Sequence, residues 1–262
     1  MKSILIDLDG TLYHGNRMIQ GADQFISQLR RDQIPYAYVT NNASRTPESV
    51  AAHLVGMGIE ASGHEVCTSA LAAAQYVAQQ SPGARVFCIG ETGLRQALVE
   101  AGLQLVQEHP DYVVQGIDRQ FTYETLAAAM RWIREGAMFI LTNPDLQLPS
   151  HDGLTPGAGT IGAAIEAASQ VKPVVIGKPS SVLMNYALDR LNIRADEAMV
   201  VGDNMLTDIA AGAAAGCKTA LVLSGVTTHA NIEEHMRTAG VKPDLIFENL
   251  DELQDWIKEE LK

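Results

Sequence analysis

The sequence predicts an α/β protein: a doubly wound parallel sheet with a second, smaller α/β domain inserted into it. Three observations predict this. Short apolar or β-branched runs alternate with helical stretches along the 262 residues, the pattern of parallel strands joined by crossover helices. Several runs end in charged or polar residues, namely Asp7 and Asp9, Thr40 to Asn42, Lys178, and Asp203 with Asp208; open parallel sheets bind ligands at such tips. Finally, Ser81-Pro82-Gly83 breaks the chain, and the segment after it has a strand–helix rhythm of its own. The core therefore takes residues 1–82 and 173–262, and the inserted domain takes 83–172.

Ser3 to Ile6 reads as a short buried strand that delivers Asp7 and Asp9 to its tip. Gly10 then turns the chain, since a residue without Cβ accepts conformations that strain others. Leu12 to Ile19, with His14-Gly15-Asn16-Arg17 at its middle, reads as a small hairpin able to act as a flap. Ala22 to Gln33 carries Phe25, Ile26 and Leu29 at helical spacing. Pro35 to Val39 is the next strand and ends in Thr40-Asn41-Asn42, a patch rich in donors. Thr46-Pro47 starts a helix reaching about Gly56. Glu65 to Cys67 is a short strand, and Ser69 caps a helix over 70–80.

In the insert, strands are expected over Arg85 to Ile89, Tyr112 to Gln115 and Met138 to Leu141. Helices are expected over Thr92 to Ala101, Thr122 to Arg134 and Gly159 to Ser169. Ser150 to Pro156 reads as a polar loop. Gly157-Ala158-Gly159-Thr160-Ile161-Gly162 matches a dinucleotide-binding pattern, but that pattern carries weight only directly after a strand, within a βαβ unit, with an acid about twenty residues on. Here it reads as a helix start eased by glycine. Val174 to Ile176 is a strand of the core leading to Lys178, which is wedged between Gly177 and Pro179. A helix capped by Ser180 or Ser181 runs to about Leu191. Ala198 to Val201 is a strand with Asp203 at its tip and Asp208 in the helical turn behind. Strands at Lys218 to Leu223 and Asp244 to Phe247, and helices at Ile232 to Ala239 and Leu250 to Leu261, complete the core.

Composition narrows the function. The net charge of −12 argues against general nucleic-acid binding, which calls for a basic face. A phosphate site must then be made locally positive by a lysine, a metal or backbone N–H groups. Cys67, Cys88 and Cys217 are odd in number and far apart, so neither a disulfide framework nor a thiolate zinc site is expected, and a cytoplasmic setting fits. No apolar run approaches a membrane span. The partner expected is a small phosphorylated metabolite, with neither nucleic acid nor membrane; a homo-oligomer stays open.

The four segments together supply acids, one cation and neutral donors. Oxygen ligands with few carboxylates suit Mg²⁺; zinc would call for His or Cys. Two carboxylates alone could serve glycoside hydrolysis, but that chemistry needs neither the lysine nor the donor patch. Phosphoryl transfer needs both, because fixed positive groups must match the charge on the equatorial oxygens. With no P-loop, an aspartate nucleophile is a sensible route, provided that a metal and Lys178 cancel its repulsion with phosphate.

Asp7-Leu8-Asp9-Gly10-Thr11-Leu12, Thr40-Asn41-Asn42, Gly177-Lys178-Pro179 and Gly202-Asp203 with Asp208 resemble, in order and spacing, the four motifs of the haloacid dehalogenase (HAD) superfamily. The long insert between the second and third motifs, with Thr142-Asn143-Pro144-Asp145 and the glycine-rich 156–162, resembles the C2 cap of its NagD-like, para-nitrophenyl phosphatase branch. The resemblance implies a Rossmann-like core and an aspartyl-phosphate on Asp7. It implies Asp9 as general acid and then base. Mg²⁺ would be held by Asp7, the Asp9 backbone carbonyl and Asp203, with Asp208 supporting from behind. Thr40, Asn41, Asn42 and Lys178 would hold the phosphoryl oxygens. A cap closing over the site would expel water, and its loops at 143–148 and 155–159 would choose the leaving group. Members that cleave carbon–halogen bonds lack the Asp9-type acid, so Asp9 implies a phosphatase. The alternative reading is a phosphometabolite-binding protein that keeps the fold and has lost turnover. Mutases of the superfamily carry a different cap.

Overall fold

A computed structural model describes residues 2–150 and 153–260. The chain divides into two compact units, one of Met1–Thr40, Glu48–Cys67 and Lys178–Lys262, the other of Asn41–Pro47 and Thr68–Gly177. His151 and Asp152 of the expected polar loop, and Leu261 at the expected end of the last helix, lie outside the described residues.

The first unit is built on a six-stranded sheet in the order Leu245–Phe247, Lys218–Val222, Ala198–Gly202, Ser3–Ile6, Tyr36–Thr40, Val66–Thr68. The four pairings from Leu245–Phe247 across to Tyr36–Thr40 are parallel. Ser3–Ile6 is buried along its whole length, which is why it reads as a continuous run rather than an alternation: strands covered on both faces have no polar side. Its register sets Ile6 opposite Val201 on one side and Tyr38 on the other. Asp7 therefore leaves the sheet beside Gly202, and its N–H donates to the Val201 carbonyl at 2.9 Å.

The helix Ala22–Arg31 buries Ala22, Phe25, Ile26 and Leu29, with Asp23 in its first turn and Arg30 and Arg31 in its last, the order that the helix dipole favours. It packs against Leu250–Glu260, which buries Leu250, Leu253 and Ile257. With Ile4, Leu8, Leu54 and Val201 these side chains form the core over one face of the sheet. A two-stranded hairpin, Tyr13–His14 with Arg17–Met18, follows the first strand. Its turn is Gly15-Asn16 with φ +60° at Gly15, the position where a two-residue hairpin turn accepts glycine.

The second unit has a five-stranded parallel sheet in the order Val174–Val175, Met138–Leu141, Tyr112–Gln115, Arg85–Ile89, Gln104–Leu105. Phe87, Val113, Phe139, Trp132, Ile133 and Ile165 fill its core. Helix Tyr123–Arg134 is capped by Thr122, whose hydroxyl accepts from the Thr125 N–H at 3.2 Å.

Four local expectations change. Val174–Val175 pairs with Met138–Leu141 and so belongs to the second sheet, not the core's; two paired residues carry no periodicity that could assign them. The expected polar loop contains an antiparallel hairpin, Gln147–Ser150 with Gly153–Pro156, whose second strand is exposed throughout and so shows no apolar face. Gln104–Leu105 is a further exposed edge strand. The helix Ser69–Gln80 is capped by Thr68, which accepts from Leu71 N–H at 3.2 Å, while Ser69 donates to the Asn41 carbonyl at 2.6 Å.

The Gly-x-Gly-x-x-Gly stretch has a packing explanation. A methyl group at Gly157 would lie 2.1 Å from the Asp145 carbonyl oxygen, and one at Gly159 2.1 Å from that of Pro144. The glycines let the 144–147 loop lie directly on the start of helix Ala158–Ser169, where Gly159 N–H donates to Asp145 O at 2.9 Å. Gly159→Ala should thus lower stability by about 1–3 kcal/mol, the usual cost of overpacking. Gly56→Ala, in a helix with open space around it, should raise it by up to about 1 kcal/mol. Urea denaturation followed by circular dichroism checks both; a neutral Gly159→Ala would refute the packing account.

Candidate active site

Asp7 is the first residue beyond the central strand, and its side chain is buried. The chain turns at once: Leu12 N–H donates to the Leu8 carbonyl at 2.8 Å. Gly10 sits at φ +94°, and a Cβ there would lie 2.4 Å from an oxygen of Asp203. Both conformation and space therefore require glycine. The turn brings the fully buried Thr11 hydroxyl between two acids, 3.3 Å from Asp7 Oδ2 and 3.2 Å from Asp203 Oδ1.

Asp203, just past the strand Ala198–Gly202, is 1% exposed. Its Oδ2 accepts from Val226 N–H at 2.6 Å, and its carbonyl from Thr227 N–H at 3.0 Å. Gly225 passes so close that a Cβ there would lie 2.0 Å from Asp203 Oδ2. Sequence reasoning missed this 224–227 segment; the available signal was a serine and glycine immediately beyond a strand tip. It also gave Thr11 no role, although the residue stands inside the first motif.

Asp208 lies in a single π-turn, Met205–Ile209, is 1% exposed, and accepts from Asn204 N–H at 3.1 Å. Lys178, 3% exposed, donates to Asp208 Oδ1 at 2.6 Å and to Asp7 Oδ1. Burial alone would push the ammonium pKa down; the Asp208 and Asp7 carboxylates outweigh it and hold Lys178 above the usual lysine value. Asp203 is influenced by Lys178 more weakly than by its acidic neighbours. Burial first, then the charges of Asp208 and Asp7, raise its pKa well above the carboxylate range. Asp208 is raised too, by burial and Asp7, with Lys178 opposing.

Three buried carboxylates thus face one ammonium. Ligand atoms of Asp7, Asp203 and Asp208 lie within 4.8 Å of one another. A set of hard oxygen donors with surplus negative charge and a proton-retaining member fits a divalent cation of the Mg²⁺ or Ca²⁺ kind. No His or Cys joins this cluster among the described residues.

Asp9 stands apart from it. Its residue is exposed, yet packing around the carboxyl raises its pKa, opposed by the Gly15 backbone and by His14 and His53. Its backbone bridges to Tyr13 of the hairpin. Thr40 is half-buried at the end of the strand next to Ser3–Ile6.

Asn41 and Asn42 follow in the chain and belong to the second unit. The Asn42 side-chain oxygen accepts from the N–H groups of Ser44 and Arg45, both at 3.0 Å, shaping the turn before helix Pro47–Gly56. The Asn41 carbonyl accepts from Asn143 Nδ2 at 2.9 Å, and its own amide donates to the Asp145 carboxylate at 3.2 and 3.3 Å. A surface cleft of about 560 Å³ lined by Arg30, Tyr36, His64, Cys67 and Arg190 begins at the opposite end of the strand Tyr36–Thr40 and contains none of these acids.

Comparison with known proteins gives the family. A family profile described as haloacid dehalogenase-like hydrolase matches residues 4–104, and a second, HAD-hydrolase-like, matches residues 175–253. The chain is 46% identical to an acid sugar phosphatase of Staphylococcus saprophyticus, covering 96% of each chain. It is 45% identical to the 5′-nucleotidase YutF of Bacillus subtilis, covering 98% of this chain and 97% of that one. The structure of a p-nitrophenyl phosphatase from Archaeoglobus fulgidus superposes with a TM-score of 0.92 at 35% identity, over 97% of this chain and 98% of the other. The chain belongs to the haloacid dehalogenase-like hydrolases, in the branch that includes the para-nitrophenyl phosphatases.

Proposed function

We propose that this protein is a Mg²⁺-dependent phosphatase of small phosphomonoesters, sugar phosphates or nucleoside monophosphates, that also hydrolyses para-nitrophenyl phosphate through an aspartyl-phosphate on Asp7. The observation that carries the reading is the buried ammonium of Lys178 between Asp7 and Asp208, with Asp203 as a third buried carboxylate in the same cluster. The names of the relatives, acid sugar phosphatase and 5′-nucleotidase, support the substrate class.

On this reading an Asp7 oxygen attacks phosphorus, the bond from phosphorus to the leaving oxygen breaks, and Asp9 gives that oxygen its proton. Asp9, now ionised, takes a proton from water as the water attacks phosphorus, and the bond to Asp7 breaks. Lys178, hydrogen-bonded to Asp7, offsets the repulsion between that side chain and the incoming phosphate. Thr40, Asn41 and Asn42 supply donors to the phosphoryl oxygens, and Thr11 fixes the Asp7 carboxylate. Asp7, Asp203 and the Asp9 carbonyl would hold the metal, with Asp208 behind them. Bound Mg²⁺ would neutralise charge on the phosphoryl group as it transfers. The second unit takes the cap's task of selecting the leaving group through its 143–148 and 155–159 segments.

We also assign a cytoplasmic setting with neither nucleic acid nor membrane as partner. Its support is the net charge of −12 and three free, buried cysteines; among the described residues no helix is long and apolar enough to cross a membrane.

Purified protein with Mg²⁺ should release para-nitrophenol from para-nitrophenyl phosphate. Asp7→Asn should lower kcat by several orders of magnitude, as loss of a nucleophile does. Undiminished turnover in that variant would remove Asp7 from the role, whereas tight phosphate-ester binding without any wild-type turnover would favour a sensor. A panel of phosphorylated metabolites would then identify the substrate.

The raised Asp203 generates a second prediction. Without metal, the folded chain keeps a proton that the unfolded chain loses in the ordinary carboxylate range. Folded protein then binds more protons than unfolded, so this group's contribution to stability falls as pH rises from that range up through the folded pKa. Lys178, raised from 10.5, contributes stability throughout that window and loses it only at higher pH. Metal requires ionised carboxylates, so the increase in Tm on adding Mg²⁺ should grow with pH across the same window. Asp203→Asn should reduce that growth, leaving the smaller part due to Asp208. A Mg²⁺ increment independent of pH in the wild type would count against Asp203 as a ligand.

A further inference from the structure

The hairpin Tyr13–His14/Arg17–Met18 is too short to hold its own position. Two paired residues per strand do not make a stable ribbon in water. Side chains from elsewhere in the first unit hold it. On one flank, His53 of helix Pro47–Gly56 donates from Nε2 to the Gly15 carbonyl at 3.0 Å. A carbonyl only accepts, so that ring nitrogen carries the proton. The same imidazole meets the Tyr13 ring edge-to-face, with centroids 5.2 Å apart. On the other flank, His14 Nε2 donates to the Ser224 carbonyl at 2.9 Å, and Ser224 Oγ donates to the Gly10 carbonyl at 2.8 Å.

The two residues held by His53 are the ones that fix Asp9. Tyr13 forms the backbone bridge with Asp9, and its carbonyl accepts from Gly10 N–H at 2.8 Å. Gly15 turns its backbone toward the Asp9 carboxyl. The acid leaves the sheet at Asp7, so nothing in the strand pairing continues as far as Asp9; the hairpin is its scaffold, and His53 is what fastens the hairpin to a helix of the core.

We propose that His53 is a positioning residue for Asp9: by fastening Gly15 and Tyr13 it sets where the Asp9 carboxyl meets the leaving oxygen. This rests on the phosphatase reading above. His53 itself touches neither substrate nor reacting atoms. Its effect must therefore follow the need for a proton on the leaving group. When the phosphorus–oxygen bond breaks, its electron pair goes to the leaving oxygen. An alkyl alkoxide must take the Asp9 proton as it leaves, whereas para-nitrophenolate is a stable anion that needs none.

The test compares kcat/KM for para-nitrophenyl phosphate and for the alkyl phosphomonoester that wild type hydrolyses fastest, in wild type, His53→Ala and His53→Gln. This ratio reports steps up to leaving-group departure and so excludes later hydrolysis of the phosphoenzyme. His53→Ala should lose on the order of tenfold or more with the alkyl ester, part of the 10²–10⁴ that a positioned acid supplies, and less than about threefold with the nitrophenyl ester. His53→Gln, whose amide keeps a donor at the same reach, should recover most of the loss. Equal losses on both esters, or no loss, would overturn the proposal: the first marks a general structural defect, which the nitrophenyl ester detects, and the second an idle side chain. A wild type inert toward both esters would instead overturn the phosphatase reading, and this inference with it.

Discussion

The buried ammonium of Lys178, shared by Asp7 and Asp208, is the interaction on which the rest of the site depends. Moving an ion out of water costs several kcal/mol even after relaxation, and here Asp203 joins two carboxylates that already share one cation. The arrangement is tolerable because each acid has a donor: Lys178 for Asp7, Val226 N–H for Asp203, Asn204 N–H for Asp208, with the single Thr11 O–H in reach of both Asp7 and Asp203. It is crowded as well. A methyl group at Gly10, Gly202 or Gly225 would lie within 2.6 Å of Asp203 or Asp208, so backbone packs against carboxylate on three sides. Three buried carboxylates held this closely could hold a metal ion.

The sheet explains why these residues can meet. Parallel strands all point their carboxyl ends the same way. From Ser3–Ile6 the chain goes next to Tyr36–Thr40 on one side, and much later to Ala198–Gly202 on the other. The order reverses between Ser3–Ile6 and Ala198–Gly202, and it is this pair that supplies Asp7 and Asp203. Connections diverge there, which in open parallel sheets is where a ligand crevice forms. The 224–227 segment, beyond the next strand, closes over Asp203 from the far side.

Most of this was legible because it depends on local chemistry. The buried strands announce themselves as apolar runs, and acids at their ends have no reason to be there unless they meet. What stayed hidden depends on tertiary placement. Val174–Val175 is too short to say which sheet it joins. Gly153–Pro156 pairs with exposure on both faces and shows no alternation. Thr11 and Val226 act through a hydroxyl and a backbone N–H, and no pattern of residue types marks such groups. The Gly-x-Gly-x-x-Gly stretch errs the other way: a motif made by glycine can arise wherever backbone meets backbone, and here Pro144 and Asp145 are what it meets.

Asp7 and Asp9 are two identical side chains, two residues apart, in different surroundings. In a continuing strand they would share a face. The strand ends at Ile6 and Gly10 reverses the chain at φ +94°, so the first carboxylate faces the buried ammonium and the second faces the hairpin and solvent. Asp7 accepts from the Lys178 ammonium, the surroundings that the proposed reading gives to the nucleophile. At Asp9 burial of the carboxyl favours the protonated form, which suits an acid that must hold a proton until the leaving oxygen needs it. On the proposed reading, Lys178 marks the nucleophile and the histidine-fastened hairpin marks the acid.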